Sequence, residues 1–268
     1  MNNKSNINVI SLKNIRKEFV LKKHFITGKV QEKVAAVKNV SFEIIEGKTL
    51  GIVGESGSGK STTGEIAGGL QKPTYGNVFY YGKNIAGMSS EEYMEYRRNV
   101  QFIFQDPKSS MDPNYKIGEI LSMPLFTLKV VRTANEANKL VDEMLDKVGL
   151  DSSIKNKYPT EISGGQCQRA AIARALVVNP KVIVCDEPVS ALDVSIQAQI
   201  LNLLKKLQKE FNISYIFISH DIGVVNYMSD TIMVMSKGNV VEIGKSKEVL
   251  IHPKKEYTKK LIESAFVS

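Results

Sequence analysis

Residues 54–61 read Gly-Glu-Ser-Gly-Ser-Gly-Lys-Ser, and no other stretch restricts the fold so strongly. Glycines at 54, 57 and 59 allow backbone conformations that other residues resist, so successive N–H groups can turn inward and close on an anion. The apolar run Thr49-Leu50-Gly51-Ile52-Val53 before the loop reads as a buried strand, and residues 62–70 can be helical. Strand, glycine loop and helix together place the positive end of a helix behind the anion site. The pattern predicts a phosphate cradle built from Gly54, Glu55, Ser56, Gly57, Ser58 and Gly59. Lys60 then reaches the outer phosphates, the Ser61 hydroxyl meets Mg²⁺, and Thr62 opens the helix.

A chain of 268 residues suffices for one large domain or two small ones. Hydrophobic residues make up 43% and charged residues 24%, as in a globular protein. No apolar run reaches the length of a membrane span, and residues 1–8 lack an apolar signal core, so the expected location is the cytosol. Cys167 and Cys185 give neither a disulfide framework nor metal-ligand spacing, and Cys185 sits in an apolar run as a small core residue. The formal charge of +8 permits an anionic partner, but the lysines are scattered as on a solvated surface.

Along the chain, residues 7–20 alternate loosely into a strand with Phe19 near its end, and the polar, basic stretch 21–33 reads as a loop. Residues 34–45 read as one or two strands, 73–76 as a turn and 77–81 as a short strand. A helix is expected after Ser89, then a strand over 100–104 that Pro107 stops. Residues 108–160 read as a mainly helical insert, with an apolar helical face within 133–148. A helix opens at Ser163, and residues 181–185 form a buried strand. An amphipathic helix covers 194–211, and a strand over 213–218 follows. A short helix, a hairpin over 231–243 and a basic helix over 253–265 complete the chain. Strands alternating with helices predict an α/β protein with a largely parallel sheet.

Three further features bear on chemistry. The strand before Asp186-Glu187 delivers two carboxylates where open parallel sheets bind ligands. Asp186 suits Mg²⁺ held through water, and Glu187, expected to point elsewhere by strand alternation, suits proton acceptance from an attacking water. Ser163-Gly164-Gly165-Gln166 reads either as a second anion-binding turn or as an ordinary helix cap. Gln105 and His220 stand where apolar strands stop.

The order of Gly54–Ser61, Gln105, Ile162–Gln166, Val182–Glu187, Ser190–Asp193 and His220 resembles the ATP-binding cassette (ABC) of membrane transporters, over about residues 9–264. The resemblance implies a P-loop NTPase fold with a mixed, mainly parallel sheet core, an N-terminal antiparallel β region and a helical insert. It implies one ATP-binding domain over 7–264, with a helical subdomain at about 106–165 and a C-terminal helical tail over 245–268. Glu187 is then the catalytic carboxylate, His220 the switch histidine and Gln105 the Q-loop glutamine. Mg²⁺ is expected between Ser61, Gln105 and Asp186, and adenine against Phe19, where Tyr is usual. Ser163, Gly164, Gly165 and Gln166 form the signature loop, with Ile162 where Leu is usual. They are expected to complete the ATP site of a second cassette, of like or unlike chain.

Phe104-Gln105-Asp106-Pro107, Pro188–Gln199 and His252-Pro253 with Tyr257-Thr258 are similar to segments of oligopeptide and dipeptide importer ATPases. This implies ATP hydrolysis at the cytoplasmic side of the cell membrane, coupled to transmembrane permease subunits. An extracytoplasmic substrate-binding protein is an indirect partner, and nucleic acid is not expected. Nickel and glutathione importers use similar ATPases, and cassettes that act on DNA or ribosomes are a more distant alternative.

Overall fold

A computed structural model describes residues 7–23 and 30–266. In chain order the strands and helices are β1 (Asn8–Lys23), β2 (Val30–Ile45), β3 (Thr49–Val53), α1 (Lys60–Ala67), β4 (Tyr75–Tyr80), β5 (Lys83–Asn84), α2 (Ser90–Asn99) and β6 (Val100–Ile103). There follow α3 (Ile117–Thr127), α4 (Ala134–Lys147), α5 (Gly164–Leu176), β7 (Val182–Asp186), α6 (Val194–Phe211) and β8 (Ser214–Ile218). The last are α7 (Ile222–Met228), β9 (Thr231–Ser236), β10 (Asn239–Lys245), α8 (Ser246–Ile251) and α9 (Glu256–Phe266). The chain divides into two compact units, one of residues 1–88 with 216–268 and one of residues 89–215, so that β8 crosses the division.

In the first unit the strand order is β5-β4-β1-β2-β10-β9-β3. β1 and β2 form an antiparallel ribbon with Leu12 opposite Phe42 and Phe19 opposite Val34. Val9, Ile10, Leu12, Ile15, Val37, Val40, Phe42 and Ile44 are buried along it, and their burial holds the register through its several bulges. The ribbon runs further than the sequence suggests. Residues 21–23 and 30–33, read above as loop, are strand, and 24–29 lie outside the described residues. Cross-strand pairing holds that polar end, and pairing leaves no trace in apolar periodicity. Tyr75 and Gly76, read as turn, likewise belong to β4, which pairs antiparallel with β1.

β9 and β10 form a hairpin whose turn residues, Lys237 and Gly238, have φ of 47° and 80°. Two left-handed residues match the twist of the flanking strands. β9 runs parallel to β3, pairing Val53 with Val234. Val53, Ile222, Val225, Ile232, Val234 and Val249 form a buried cluster that Leu261 and Ile262 of α9 cover. The start of α9 is held by β10, where the Glu242 carboxylate accepts the backbone N–H groups of Lys254 (2.9 Å) and Lys255 (3.1 Å).

In the second unit β6 and β7 pair in parallel, Val100 with Val182 and Ile103 with Cys185. α6 matches its expected span and buries Ile200, Leu201, Leu204 and Leu207; Asp193 caps its start and left-handed Asn212 its end. α4 begins with a capping box between Thr133 and Glu136. α3 lies within the stretch expected to be mainly helical, although its bounds were not marked in the sequence, and it carries Pro124 in its interior while burying Ile117, Ile120, Leu121 and Leu125. Tertiary burial outweighs the lost hydrogen bond at the proline. Among the described residues no helix is long and apolar enough to cross a membrane.

Candidate active site

The loop after β3 is closed below and open above. Gly54, Ser58 and Lys60 are buried, whereas Glu55, Ser56 and Gly57 are exposed. Gly54 has φ 155°, and a β-carbon there would lie 2.1 Å from the Met235 carbonyl oxygen; at Gly59, φ 100°, it would lie 2.4 Å from that of Ala36. No residue but glycine fits either position. Gly59 also caps α1, which starts at Lys60 rather than the expected Thr62, and it contributes no side-chain oxygen to the first helical amides. Those amides suit an anion. The Lys60 ammonium donates to the carbonyls of Gly54 (2.8 Å) and Glu55 (2.9 Å), so its charge is held within the loop. Ser61 and Thr62 follow in the first turn of α1.

The floor is braced from two other places in the first unit. The Gly238 N–H donates to the Ser58 carbonyl at 3.0 Å, and the Gly238 carbonyl accepts from the Lys38 N–H at 2.8 Å. A β-carbon at 238 would lie 2.8 Å from the same Ala36 oxygen that abuts Gly59. Neither Ala36 nor Gly238 carries a signal in the sequence beyond the Lys-Gly turn at 237–238. His220 follows β8, and the Ser219 N–H donates to the Ile52 carbonyl at 3.2 Å. That bond sets exposed His220 beside the end of β3, two residues before Gly54. Phe19 is 37% exposed near the end of β1.

In the second unit the structure brings Gln105 to Glu187. The Gln105 Nε2 donates to the Glu187 carboxylate at 3.1 Å across 82 residues of sequence. β7 ends at Asp186, and Glu187 has φ 46°, so a left-handed turn and not strand alternation directs its side chain. The turn is tied by its own carbonyl, which accepts from the Ser190 N–H (3.3 Å) and hydroxyl (3.1 Å). A non-glycine residue in that conformation stores strain of the kind found at functional sites. Gln105 and Asp186 line one cleft with Phe104, Asp106, Ser109 and Ser110. The Ser109 hydroxyl, then backbone N–H donors, hold the Asp106 carboxyl below its ordinary range.

Ser163 is a helix cap in geometry. Its hydroxyl accepts the Gln166 N–H at 3.2 Å, and the Gln166 side chain accepts the Ser163 N–H at 3.0 Å. A β-carbon at Gly165 would press to 3.1 Å of Ile196, whereas one at Gly164 would meet Leu192 at an ordinary 3.7 Å. Close packing explains the second glycine and leaves the first unexplained. Asp193 accepts the Ile196 N–H at 3.0 Å, the chief cause of its lowered carboxyl pKa, and the Ser195 hydroxyl at 2.8 Å. Arg174, on the same helix as Gln166, donates to the carbonyl (2.5 Å) and hydroxyl (3.1 Å) of Ser110, a tether absent from the sequence reading.

A family model described as ABC transporter matches residues 37–190, more than half of the chain. The chain belongs to the ABC transporter family. It is 50% identical over 229 residues to the oligopeptide transport ATP-binding protein OppF of Haemophilus influenzae, covering 85% of this chain and 69% of that protein. With AppF of Bacillus subtilis, also named an oligopeptide transport ATP-binding protein, it shares 44% over 261 residues, 97% of this chain and 79% of that one. Among solved structures, the ATP-binding cassette MJ0796, a dimer bound to ADP and phosphate in a post-hydrolysis state, superposes with a TM-score of 0.77 at 34% identity. That match covers 88% of this chain and 98% of that one. The cassette cbiO1 of Clostridium perfringens gives 0.75 at 28% identity over 97% of this chain and 95% of that one. The fold is that of an ABC ATPase, as the motif order implies, and this ABC transporter chain binds and hydrolyses ATP.

Proposed function

We propose that this chain is the ATPase subunit of an oligopeptide importer, peripheral on the cytoplasmic face of the membrane. Its partners are permease subunits, a second cassette and, indirectly, an extracytoplasmic binding protein. Residues 7–264 serve as one nucleotide-binding domain, with the helical part at 106–165 gripping the membrane partner and the 245–268 tail appended. The observation that carries the catalytic part is the meeting of Gln105 with Glu187, which joins the residue just before the insert to the carboxylate that handles water.

The loop amides of 54–59, with Lys60, Ser61 and Thr62, hold the phosphates, and Phe19 stacks on the base. Among the described residues there is no cluster of three metal-ligating His, Cys, Asp or Glu side chains. That suits Mg²⁺, which takes few protein oxygens and several from phosphate and water. Ser61, Gln105 and Asp186 are the donors that would hold it, and when bound it supplies neutralising charge at the phosphate oxygens. Glu187 accepts a hydrogen bond from the attacking water and draws its proton, Gln105 fixes the carboxylate, and His220 orients the water toward the γ-phosphate. Ser163, Gly164, Gly165 and Gln166 serve the ATP of the second cassette.

Labelled peptide uptake into cells lacking this chain, restored by the wild type and not by Glu187→Gln, is the expected result. Restored uptake of nickel or glutathione with no peptide uptake would reassign the cargo.

A further inference from the structure

We propose that Lys17 is a positioning residue for nucleotide-base recognition. Its ammonium covers one face of the Phe19 ring and prepares the opposite face for adenine. The inference rests on the reading above that Phe19 is the base platform.

The pairing register places Phe19 with respect to the phosphate loop. Phe19 lies opposite Val34. Two residues on, the carbonyl of Ala36 abuts Gly59. The pairing is irregular there, Val37 facing Lys17 and Ala35 facing Glu18 with Ala36 left between them, and two residues of chain span at most about 7 Å. A base carried on a phosphate-bound nucleotide is therefore within reach of this ring.

Phenylalanine has no hydroxyl with which to anchor its ring, so the ring's setting must come from neighbours. Lys17 and Phe19 are two apart on β1 and project to the same side of the strand. The Lys17 Nζ stands over the ring at 5.2 Å from its centroid. The same ammonium donates to the Lys72 carbonyl at 2.8 Å, which fixes it from the segment leading into β4. That segment is itself tied to the ribbon, since the Thr74 N–H donates to the Arg16 carbonyl (2.8 Å) and the Glu18 N–H to the Thr74 hydroxyl (3.0 Å). The neighbouring charges are engaged elsewhere, because Glu18 pairs with Arg16 (2.5 Å) and Lys33 (3.3 Å). Lys17 is therefore not drawn off the ring by that carboxylate. A cation over one face withdraws π density from the other, and an electron-rich heteroaromatic base then stacks on a less repulsive surface.

The test is equilibrium binding of MgATP and of magnesium tripolyphosphate, which lacks a base, to the full chain. The variants are Lys17→Met, Lys17→Arg, Phe19→Ala and the double variant Lys17→Met with Phe19→Ala. Lys17→Met is expected to weaken MgATP about two- to fivefold, the range of an exposed cation–π contact. Lys17→Arg should restore it, and tripolyphosphate affinity should follow the wild type. In the Phe19→Ala background Lys17→Met should have no further effect. Equal weakening of both ligands, or the full Lys17→Met effect persisting without the ring, overturns the proposal. Weaker MgATP binding in Phe19→Ala with none in Lys17→Met overturns it while leaving the platform intact. Unchanged MgATP binding in Phe19→Ala removes the platform itself.

Discussion

Arg174 grips Ser110 twice, through the backbone carbonyl at 2.5 Å and the hydroxyl at 3.1 Å. One residue thus fastens the segment after Gln105 to the helix that begins at Gly164 and Gly165. Burial lowers the Arg174 pKa, but guanidinium remains charged at any working pH, so the contact is charge-assisted. Arg174→Leu should destabilise the protein by about 2 kcal/mol, the net worth of hydrogen bonds to a charged group. It should also reduce turnover by loosening the Gln105 segment. Urea denaturation and phosphate release together check this, and unchanged values in both would leave the tether without consequence.

Glu187→Gln keeps the size of the side chain and a partner for Gln105 but removes the proton acceptor. ATP binding should persist, while steady turnover falls by about two to four orders of magnitude, the usual contribution of a positioned base. Hydrolysis at the wild-type rate would take Glu187 out of its proposed role.

Ser163→Arg should bind ATP and fail to pair with a second cassette. Because Ser163 is also a cap, Ser163→Ala serves as control and should cost about 1 kcal/mol of stability through the lost cap. Light scattering with ATP separates the two effects, and an arginine variant that dimerises normally would count against the shared site.

Gly59→Ala forces a β-carbon against the Ala36 carbonyl in a left-handed backbone. A loss of stability of about 1–3 kcal/mol is expected, the usual range for such strain. Nucleotide affinity should fall with it, and both are readable from thermal melts with and without MgATP.

Acid should weaken the fold through its capping carboxylates. Backbone N–H donors lower the pKa of Asp193 (Ile196 first) and Glu136 (Arg132 first). A depressed folded pKa contributes stability that is present above the unfolded value, near 4, and is lost as pH falls through the folded value. The urea midpoint should therefore decline below about pH 4, and less steeply in Asp193→Asn. A midpoint that stays flat in acid would contradict the linkage.

Much of this was legible where one physical cause dominates. α6 was readable end to end because its apolar stripe recurs at helical spacing along its whole length. The phosphate loop was readable because its glycines answer local steric demands. α3 was legible only as part of a mainly helical stretch, and its bounds were not, because Pro124 interrupts a helix that tertiary burial justifies. The far end of the β1–β2 ribbon was hidden because its polar residues pair across strands without an apolar rhythm. At the site, the motifs single out candidate residues, but the turn at Glu187 depends on a φ of 46° that no spacing encodes.

The Ala36 carbonyl is wedged between Gly59 and Gly238, while the Gly238 amide holds Ser58. Tolerance to substitution should thus follow this shared oxygen and not distance along the polypeptide. In a saturation scan position 238, almost two hundred residues downstream of the motif and with no assigned ligand contact, should be as intolerant as the motif's own glycines.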